Sequence, residues 1–477
     1  MTIFPTIARP SLLDRFRAML KAKKCLSENM DLQIEIHLRG QEVAILNKGL
    51  PIQIQLGKNG KKLYMYPDLS PKFPHGEAPH SMIIIDPDTF FSKISGFIRL
   101  EYKETILLGR GQKDQDMLFQ YPKSVARRHL SIRHAGASII FKDLDAEVGT
   151  YVSTLTDPAL MELPDTHRQE CLEKLKKIYG GAFQPLPHNK ALATIRQVNS
   201  LFFEEKYRVK DSRNLPGGVI QLPENMTPII VGDLHGQVDN LLKILTEGSF
   251  LKELEQSLAY LLILGDAVHL EIDGQMEEMT SSMLMMDFIF RLKIHFPHQV
   301  FYIRGNHDSF SPDIRKGGVI QGVLWERKLR MERGEEYVNE MNLFYDRLPF
   351  VALSNDFITC HAAPPKAKAD LNLLINTHQY PGLIHELIWN RLQRPNYPAG
   401  YNKGDVKRFR KALFLDEKTP LIVAHNPLTQ EESVWLNAGE IENHHIVFSG
   451  RPTCIAIFSR FNGEIAPLIF PTESMIY

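Results

Sequence analysis

The stretch "GDLHGQVDN", residues 232–240, follows the apolar run "PIIV" and precedes "LLKIL". Asp233 and His235 therefore stand between two glycines, at a point where a strand is expected to become a helix. Packing offers little reason for two polar side chains there, whereas carboxylate and imidazole groups are common metal ligands. The stretch thus predicts a binding site at the end of a strand.

Later strands end in the same way. Asp266 lies in "LGDAV", Asn306 and His307 lie in "RGNHD", His361 lies in "TCHAAPP", and His425 lies in "VAHNP". These apolar runs alternate with helical stretches such as "SSMLMMDFIFRLKIHF", which indicates an α/β layered domain. Side chains at the carboxyl ends of such strands meet in one crevice. Two aspartates, three histidines and one asparagine are more than one ion needs, and they suit two Mn, Fe or Zn ions that act on a phosphoryl group.

The composition limits the class of protein. With 477 residues, 43% of them hydrophobic, the chain is long enough to form two or three cores. Lysine plus arginine equals aspartate plus glutamate at 56 each, so nucleic acid is not an expected partner. No apolar run approaches the ~18 residues that a membrane span needs. The four cysteines form no CxxC pair, so we expect a multidomain cytoplasmic protein without a disulfide framework.

The pattern divides the chain into four segments. Residues 1–30 predict an N-terminal helix. Residues 31–160 carry short alternating runs such as "LPIQIQL" and "SIIFKDL", which are typical of an all-β sandwich. Residues 161–186 predict a helical linker, and residues 187–477 predict the α/β domain. The segments 311–345 and 392–412 are interpreted as loops that wall the site.

The ordered motifs "GDLHGQ", "GDAV", "RGNHD", "CHAAPP", "WNR" and "VAHNP" resemble those of the phosphoprotein phosphatase family of metallophosphoesterases. The resemblance covers about residues 187–477 and implies β-sandwich layers flanked by helices. It also implies direct attack by a hydroxide that bridges two metal ions, most readily Mn²⁺. The implied roles are first-ion binding by Asp233 and His235, bridging by Asp266, second-ion binding by Asn306, His361 and His425, protonation of the leaving oxygen by His307, and phosphate binding by Arg304 and Arg391.

One motif departs from the family pattern. Where the family has Gly-Asp-x-Val-Asp-Arg-Gly, this chain has "GDAVHLE", so that His269 replaces an aspartate and Leu270 replaces an arginine. Three hypotheses follow. His269 takes part in proton transfer, or else only fills space; Glu271 or Asp308 substitutes for the missing carboxylate; and Arg315 or Lys316 substitutes for the missing positive charge.

In the first half of the chain, "TILLGRG", "SVARRHLSI" and "SIIFKDLDAEVGTYV" resemble the forkhead-associated module. That family binds phosphothreonine, which makes Arg110 and Arg127 the candidate phosphopeptide contacts. Ala126 and Val148 replace a phosphate-binding serine and a backbone-gripping asparagine of that family. The domain is therefore expected to bind a phosphorylated partner, to bind an unphosphorylated partner, or to serve as a packing platform. Strands before residue 80 are expected to complete its sheet.

The expected function is a metal-dependent phosphatase that acts on phosphoproteins, at Ser/Thr or at Tyr, with a forkhead-associated-like domain for targeting. Two alternatives stay open. One is hydrolysis of a small phosphoester or a dinucleoside polyphosphate. The other is a phosphoprotein-binding adaptor whose phosphatase-like half is inactive.

Overall fold

The computed structural model describes residues 35–47, 51–67, 81–86, 97–111, 119, 121–144, 146–154, 158–366, 368–430, 432–461, 463–472 and 474–475. The helix predicted over residues 1–30 lies outside these residues. No helix in the described part of the chain is long and apolar enough to cross a membrane.

The first part of the chain forms two antiparallel sheets. The strands are β1 (Glu35–Leu38), β2 (Glu42–Leu46), β3 (Ile52–Leu56), β4 (Lys61–Pro67), β5 (Ser81–Ile85), β6 (Phe97–Glu101), β7 (Thr105–Leu108), β8 (Leu130–His134), β9 (Ser138–Asp143) and β10 (Thr150–Thr154). One sheet has the order β1-β10-β3-β4-β5-β6 and the other has the order β2-β9-β8-β7. Strands that precede residue 80 therefore complete both sheets, as the sequence indicated. Apolar side chains from both sheets, such as Ile54, Ile84, Ile132 and Phe141, form one buried cluster.

Two helices follow, α1 (Pro158–Tyr179) and α2 (His188–Phe203). They occupy much of the region for which the sequence predicted helices, and the assignment of residues 161–186 as a linker stays a prediction. Leu175 and Ile178 of α1, with Ile195 and Phe202 of α2, belong to the main buried cluster of the α/β domain. Both helices are therefore packed on that domain.

The rest of the chain is the α/β domain. Its strands are β11 (Arg208–Lys210), β12 (Pro216–Gln221), β13 (Thr227–Val231), β14 (Ala259–Ile263), β15 (Val300–Tyr302), β16 (Val351–Leu353), β17 (Ile358–Cys360), β18 (Leu421–Val423), β19 (Val434–Trp435), β20 (His444–Val447), β21 (Cys454–Phe461) and β22 (Glu464–Pro471). Its α-helices are α3 (Val238–Thr246), α4 (Phe250–Glu255), α5 (Thr280–His295), α6 (Gln321–Arg347), α7 (Leu371–Ile375), α8 (Pro381–Trp389) and α9 (Lys403–Ala412), with 3-10 turns at Thr377–Gln379 and Ala438–Glu440.

Two sheets form the centre of this domain, with the orders β11-β12-β16-β17-β18-β20-β19 and β15-β14-β13-β21-β22. Side chains from both, including Ile230, Leu262, Ile422 and Val447, form one buried cluster. Helices α1 to α6 contribute to a second cluster on one side, and α7 to α9 contribute to a third on the other. The predicted α/β architecture with flanking helices is confirmed.

The interpretation of residues 311–345 and 392–412 as loops was wrong in part, because α6 and α9 occupy much of them. Helix α6 buries Trp325, Leu329, Tyr337 and Met341 at helical spacing. Its pattern is hard to recognise because charged residues dominate it and Gly334, with φ of 74°, interrupts it. Long amphipathic surfaces therefore flank the site in place of irregular loops.

Strand direction positions the site. In one sheet β13, β14 and β15 are parallel, and in the other β17, β18 and β20 are parallel. The loops after these strands carry the residues that the sequence analysis selected, so their side chains are delivered to one edge of the two sheets.

Candidate metal centre

The backbone at the strand ends is unusually constrained. Gly232 lies so close to β20 that a Cβ atom there would be 2.3 Å from the Val447 carbonyl oxygen. His235, Asp266 and His425 have positive φ angles of 43°, 51° and 61°. Such conformations cost roughly 1–3 kcal/mol each and cluster at functional sites. This strain supports a functional interpretation of the three residues.

The first ligand group consists of Asp233, His235 and Asp266, all buried, with ligand atoms within 4.8 Å of one another. His235 donates its Nδ1 hydrogen to the Val268 carbonyl at 3.1 Å, so its Nε2 atom is left with a lone pair. That Nε2 atom is 3.8 Å from Asp233 Oδ2. The backbone amide of His235 donates to the Asp266 carbonyl at 3.0 Å, which links the two loops.

The second group consists of Asp266, His361 and His425, so Asp266 belongs to both groups. His361 donates from Nδ1 to the Leu264 carbonyl at 2.7 Å. Its Nε2 atom is 3.2 Å from Asp266 Oδ2 and 3.1 Å from Asn306 Oδ1. The buried Nε2 atom of His425 has no hydrogen-bond partner among the described residues. A bare nitrogen in a buried cluster of carboxylate and imidazole groups fits a metal ion well.

The electrostatics of the cluster also favour a cation. Burial raises the pKa of the Asp233 carboxyl to about 7, although the imidazoles of His361 and His235 oppose this shift. Burial alone would lower the pKa of His361, but the carboxylates of Asp266 and Asp233 raise it to about 9. Burial and the charge of Arg391 lower the pKa of His425 well below its ordinary value, which keeps this imidazole neutral. The residues present therefore fit a pair of divalent ions.

His307 lies beside the shared aspartate and contacts His269. Its backbone amide donates to Asp266 Oδ1 at 2.7 Å, and its Nδ1 atom is 2.9 Å from His269 Nδ1. Burial lowers the pKa of His307 to about 4, although Asp266 opposes this shift. Burial also lowers the pKa of His269 well below its ordinary value. Two neutral imidazoles at this distance share one hydrogen bond, in which one Nδ1 donates and the other accepts.

His269 is held tightly in this position. It has a φ of 71°, and its amide donates to Ser282 Oγ at 2.9 Å. Its ring is perpendicular to that of Trp325, with 6.3 Å between the ring centroids, and its buried Nε2 atom has no partner among the described residues. A side chain under these constraints has a definite contact with His307, and its part in proton transfer stays a prediction.

The two carboxylates that were considered as substitutes for the missing aspartate, Asp308 and Glu271, have different contacts. Asp308 accepts hydrogen bonds from the Tyr302 hydroxyl at 2.7 Å and from the Gly305 amide at 2.7 Å. It also accepts from the Asp266 amide at 3.3 Å. Its oxygens are thus occupied in shaping the loop, and the structure does not direct them to the His307 ring. Glu271 Oε1 lies 3.7 Å from His235 Nε2, and the charge of Glu271 also raises the pKa of His307.

The two arginines predicted to bind phosphate, Arg391 and Arg304, also have different contacts. Arg391 is exposed and donates from Nη1 to the His425 carbonyl and to Asn426 Oδ1, each at 3.4 Å. The Arg304 Nη1 atom is 3.7 Å from Asp346. Burial lowers the pKa of Arg304, and the charges of Asp346, Asp308 and Tyr345 oppose this shift.

Lys316 and Arg315 follow each other in one turn but face different groups. Lys316 Nζ is 2.9 Å from Glu271 Oε2, on the side of the first ligand group. Arg315 donates to the Pro312 carbonyl within its own turn, at 3.0 Å from Nη2. Of the two residues, Lys316 is the one that the structure directs to the site.

In the N-terminal sheets, the loops of Arg110 and Arg127 lie side by side. The Arg110 amide donates to the Ala126 carbonyl at 3.1 Å, and the Arg127 side chain is exposed. His129, which the sequence analysis did not select, ties these loops together. Its Nδ1 accepts from the Ala126 amide at 3.2 Å, and its Nε2 donates to the Gly149 carbonyl at 3.1 Å.

Comparison with known proteins gives the following matches. Residues 226–454 match the family model of calcineurin-like phosphoesterases. A solved serine/threonine phosphatase of Saccharomyces cerevisiae, described as similar to human phosphatase PP5, has a TM-score of 0.46 and 18% identity, over 61% of this chain and 91% of that chain. A cold-active protein-tyrosine phosphatase of a psychrophilic Shewanella has a TM-score of 0.33 and 12% identity, over 53% of this chain and 83% of that chain.

Proposed function

We propose that the calcineurin-like metallophosphoesterase domain of this chain is a phosphatase that uses two metal ions to hydrolyse phosphomonoesters on phosphoproteins. The observation that carries the proposal is that Asp266 belongs to two buried ligand groups at once. A shared carboxylate is the feature that holds two ions close enough to act on one phosphoryl group.

In this proposal Asp233, His235 and Asp266 hold the first ion, and Asp266, Asn306, His361 and His425 hold the second. Oxygen and imidazole donors without thiolate suit Mn²⁺, with Fe or Zn as the alternatives. When bound, the two ions lower the pKa of a water molecule and balance charge on the phosphoryl group. The carbonyls of Val268 and Leu264 fix the imidazoles of His235 and His361 so that both present Nε2.

His307 donates a proton to the departing oxygen from its imidazolium form, so that a neutral imidazole is left behind. In that form His307 donates from Nδ1 to His269 Nδ1, and the proton on its Nε2 is left for the substrate. His269 accepts this hydrogen bond as a neutral imidazole, which its lowered pKa favours. In this role His269 is a positioning residue for the acid.

Two cations hold the substrate phosphate. Arg391 lies at the mouth beside His425 and offers a planar fork of donors, which matches phosphate oxygens. Lys316 pairs with one oxygen of Glu271, and the other oxygen of Glu271 faces His235. Arg304, which pairs with the exposed Asp346 in this structure, stays a candidate third cation.

The N-terminal sheets are proposed to target the phosphatase to its substrates. Arg110 and Arg127 would contact a phosphothreonine peptide through their adjacent loops. The backbone bond from Arg110 to Ala126 and the His129 bridge to Gly149 support this role, because they hold both loops in one place. Without the usual serine and asparagine, each lost contact weakens binding by about 1–3 kcal/mol.

The test is phosphate release from para-nitrophenyl phosphate and from matched phosphotyrosine and phosphothreonine peptides, with and without Mn²⁺. Asp233→Asn should abolish metal-dependent release, and His307→Ala should lower kcat by roughly 10²- to 10⁴-fold. Asp273→Asn, at an exposed aspartate, is the matched control and should retain full activity. Failure to release phosphate from any of these substrates with both ions bound would refute the proposal and favour a small-molecule hydrolase or an adaptor.

A further inference from the structure

A strongly basic segment lies beside the mouth of the candidate metal centre. Residues 390–412 contain seven lysines and arginines and one acidic residue, Asp405, whereas the whole chain has 56 residues of each sign. Arg410 is buried and donates to the Glu442 and Asn443 carbonyls. The other six are exposed or half-buried and form what we call the basic surface: Arg391, Arg394, Lys403, Lys407, Arg408 and Lys411.

Backbone hydrogen bonds join the basic surface to the mouth. The Tyr401 amide donates to the Arg391 carbonyl at 2.9 Å, and the Gln393 amide donates to the Tyr401 carbonyl at 2.8 Å. Helix α9 begins two residues later, at Lys403. Arg391 in turn donates to the carbonyl of His425, which belongs to the second ligand group. Helix α9 therefore starts beside the arginine that is proposed to bind phosphate.

The spacing of three lysines gives α9 a basic stripe. Lys403, Lys407 and Lys411 follow one another at intervals of four residues, so their side chains lie along one exposed face of the helix. Val406 and Phe409 pack the other face into a buried cluster. Like charges at a spacing of four residues destabilise a helix, so the stability of α9 does not explain the stripe.

Carboxylates neutralise the basic surface only in part. The buried Asp405 pairs with Arg408, and Glu417 pairs with Lys407 at 2.6 Å. Two lysines of the stripe form no ion pair within the part of the chain that the structure describes, namely Lys403 and Lys411. Positive charge is therefore left over at both ends of the stripe.

We propose that the basic surface binds acidic residues that flank the phosphorylated residue of a protein substrate. A substrate whose phosphate lies at the metal centre must place its neighbouring residues over the surface around the mouth. The stripe from Lys403 to Lys411 is about 12 Å long, which is the length of about four residues of an extended peptide. The inference rests on the proposed function and narrows its substrates to phosphoproteins with an acidic segment beside the phosphorylated residue.

Continuity with the mouth favours a peptide over other polyanions. Complementary charge at the edge of a binding site selects partners and speeds their association. An anionic membrane or a nucleic acid would also be attracted to α9, but neither places a phosphomonoester next to Arg391. An acidic peptide with one phosphorylated residue engages both the metal centre and the stripe.

The experiment compares two phosphothreonine peptides that share one core sequence. One is flanked by four glutamates on each side, and the other is flanked by four glutamines. Affinity is measured by fluorescence anisotropy, and kcat/KM is measured by phosphate release with Mn²⁺. The glutamate peptide should be favoured roughly 10-fold in both quantities at low ionic strength. The preference should shrink in about 0.5 M NaCl, because salt screens exposed charges.

Variants of α9 assign the preference to the basic surface, since Arg110 and Arg127 are candidates for binding the same peptides. Lys403→Gln combined with Lys411→Gln should lower the preference to about 3-fold and leave hydrolysis of para-nitrophenyl phosphate unchanged. Glutamate at the same two positions should favour a peptide flanked by lysines. Lys177→Gln combined with Lys252→Gln removes equal charge from exposed positions of α1 and α4 and should keep the wild-type preference.

Three results would overturn the inference. The first is equal affinity and equal kcat/KM of the wild type for the two peptides. The second is a preference that the α9 variants retain in full. The third is loss of binding to phosphatidylcholine and phosphatidylserine vesicles, or to single-stranded DNA, in α9 variants whose peptide preference is intact. If no substrate releases phosphate with both ions bound, the phosphatase is refuted, while the peptide affinities still decide whether the basic surface binds acidic segments.

Discussion

Replacing His269 by alanine should weaken proton donation without removing a metal ligand. The His269 ring makes one hydrogen bond to His307, at 2.9 Å between the Nδ1 atoms, and both groups are largely enclosed. A buried polar atom that loses its partner costs about 1–3 kcal/mol. Because each ~1.36 kcal/mol corresponds to a factor of ten in rate, kcat should fall roughly 5- to 150-fold if this alignment matters in the transition state.

The leaving group makes the assay selective. Departure of nitrophenolate needs little protonation, whereas departure of a serine alkoxide depends on a general acid. His269→Ala should therefore reduce kcat more for a phosphoserine peptide than for para-nitrophenyl phosphate, while Mn²⁺ affinity stays unchanged. His378→Ala, which removes a histidine that bonds the Leu348 carbonyl, controls for general loss of packing.

His269→Asp tests the same contact by placing a carboxylate beside His307 in place of the imidazole. A carboxylate beside His307 favours the charged imidazolium and should raise its pKa, which burial lowers to about 4 in the wild type. The variant should then remain active on the phosphoserine peptide and show a pH profile that is shifted upward. The reasoning is refuted if His269→Ala keeps full kcat on both substrates with an unchanged pH profile.

Two further predictions concern stability. Arg333 donates to Asp287 Oδ1 and to the Tyr337 hydroxyl, both at 2.8 Å. Arg333→Met should leave the buried Asp287 carboxylate without its partner and lower the free energy of unfolding in urea by about 3–5 kcal/mol. A loss below about 1 kcal/mol would contradict this prediction. Burial lowers the pKa of His444 to about 3. In the unfolded chain this residue binds a proton near pH 6.5, so the free energy of unfolding should fall as the pH decreases from 6.5 towards 3. The expected decrease is up to ~1.4 kcal/mol per pH unit. His444→Gln, which keeps a neutral partner for the Tyr401 hydroxyl, should show a shallower pH dependence, and equal slopes would exclude this explanation.

Much of the fold was predictable because the α/β domain has strong local patterns. Apolar runs bounded by glycine or proline correspond to β13, β14, β15 and β18, and the apolar periodicity of "SSMLMMDFIFRLKIHF" corresponds to α5. Helix α6 was missed because its buried residues are diluted by charges and interrupted at Gly334. The identity of the N-terminal sheets as a forkhead-associated-like domain stays a prediction.

Within the candidate site, residue type and order were sufficient to select loops that the structure brings together. Asp233, Asp266 and His361 each follow an apolar strand, and parallel strands bring their loops to one edge wherever the helices lie. The direction of a side chain within a loop could not be predicted from the sequence, because it depends on partners that are distant in sequence. His129 was missed for this reason, because its role is evident only when the Gly149 carbonyl is seen beside it.

The sequence by itself determined the class of this protein. It indicated a β-rich first half, an α/β second half, and a set of oxygen and imidazole donors at the ends of strands. These properties follow from local periodicity and from the chemistry of single residues. Only the tertiary structure decided which neighbours serve the site. It directs Glu271 to His235 and Asp308 into its own loop, and it leaves Arg304 with Asp346, because hydrogen bonds and burial orient each side chain after the chain has folded.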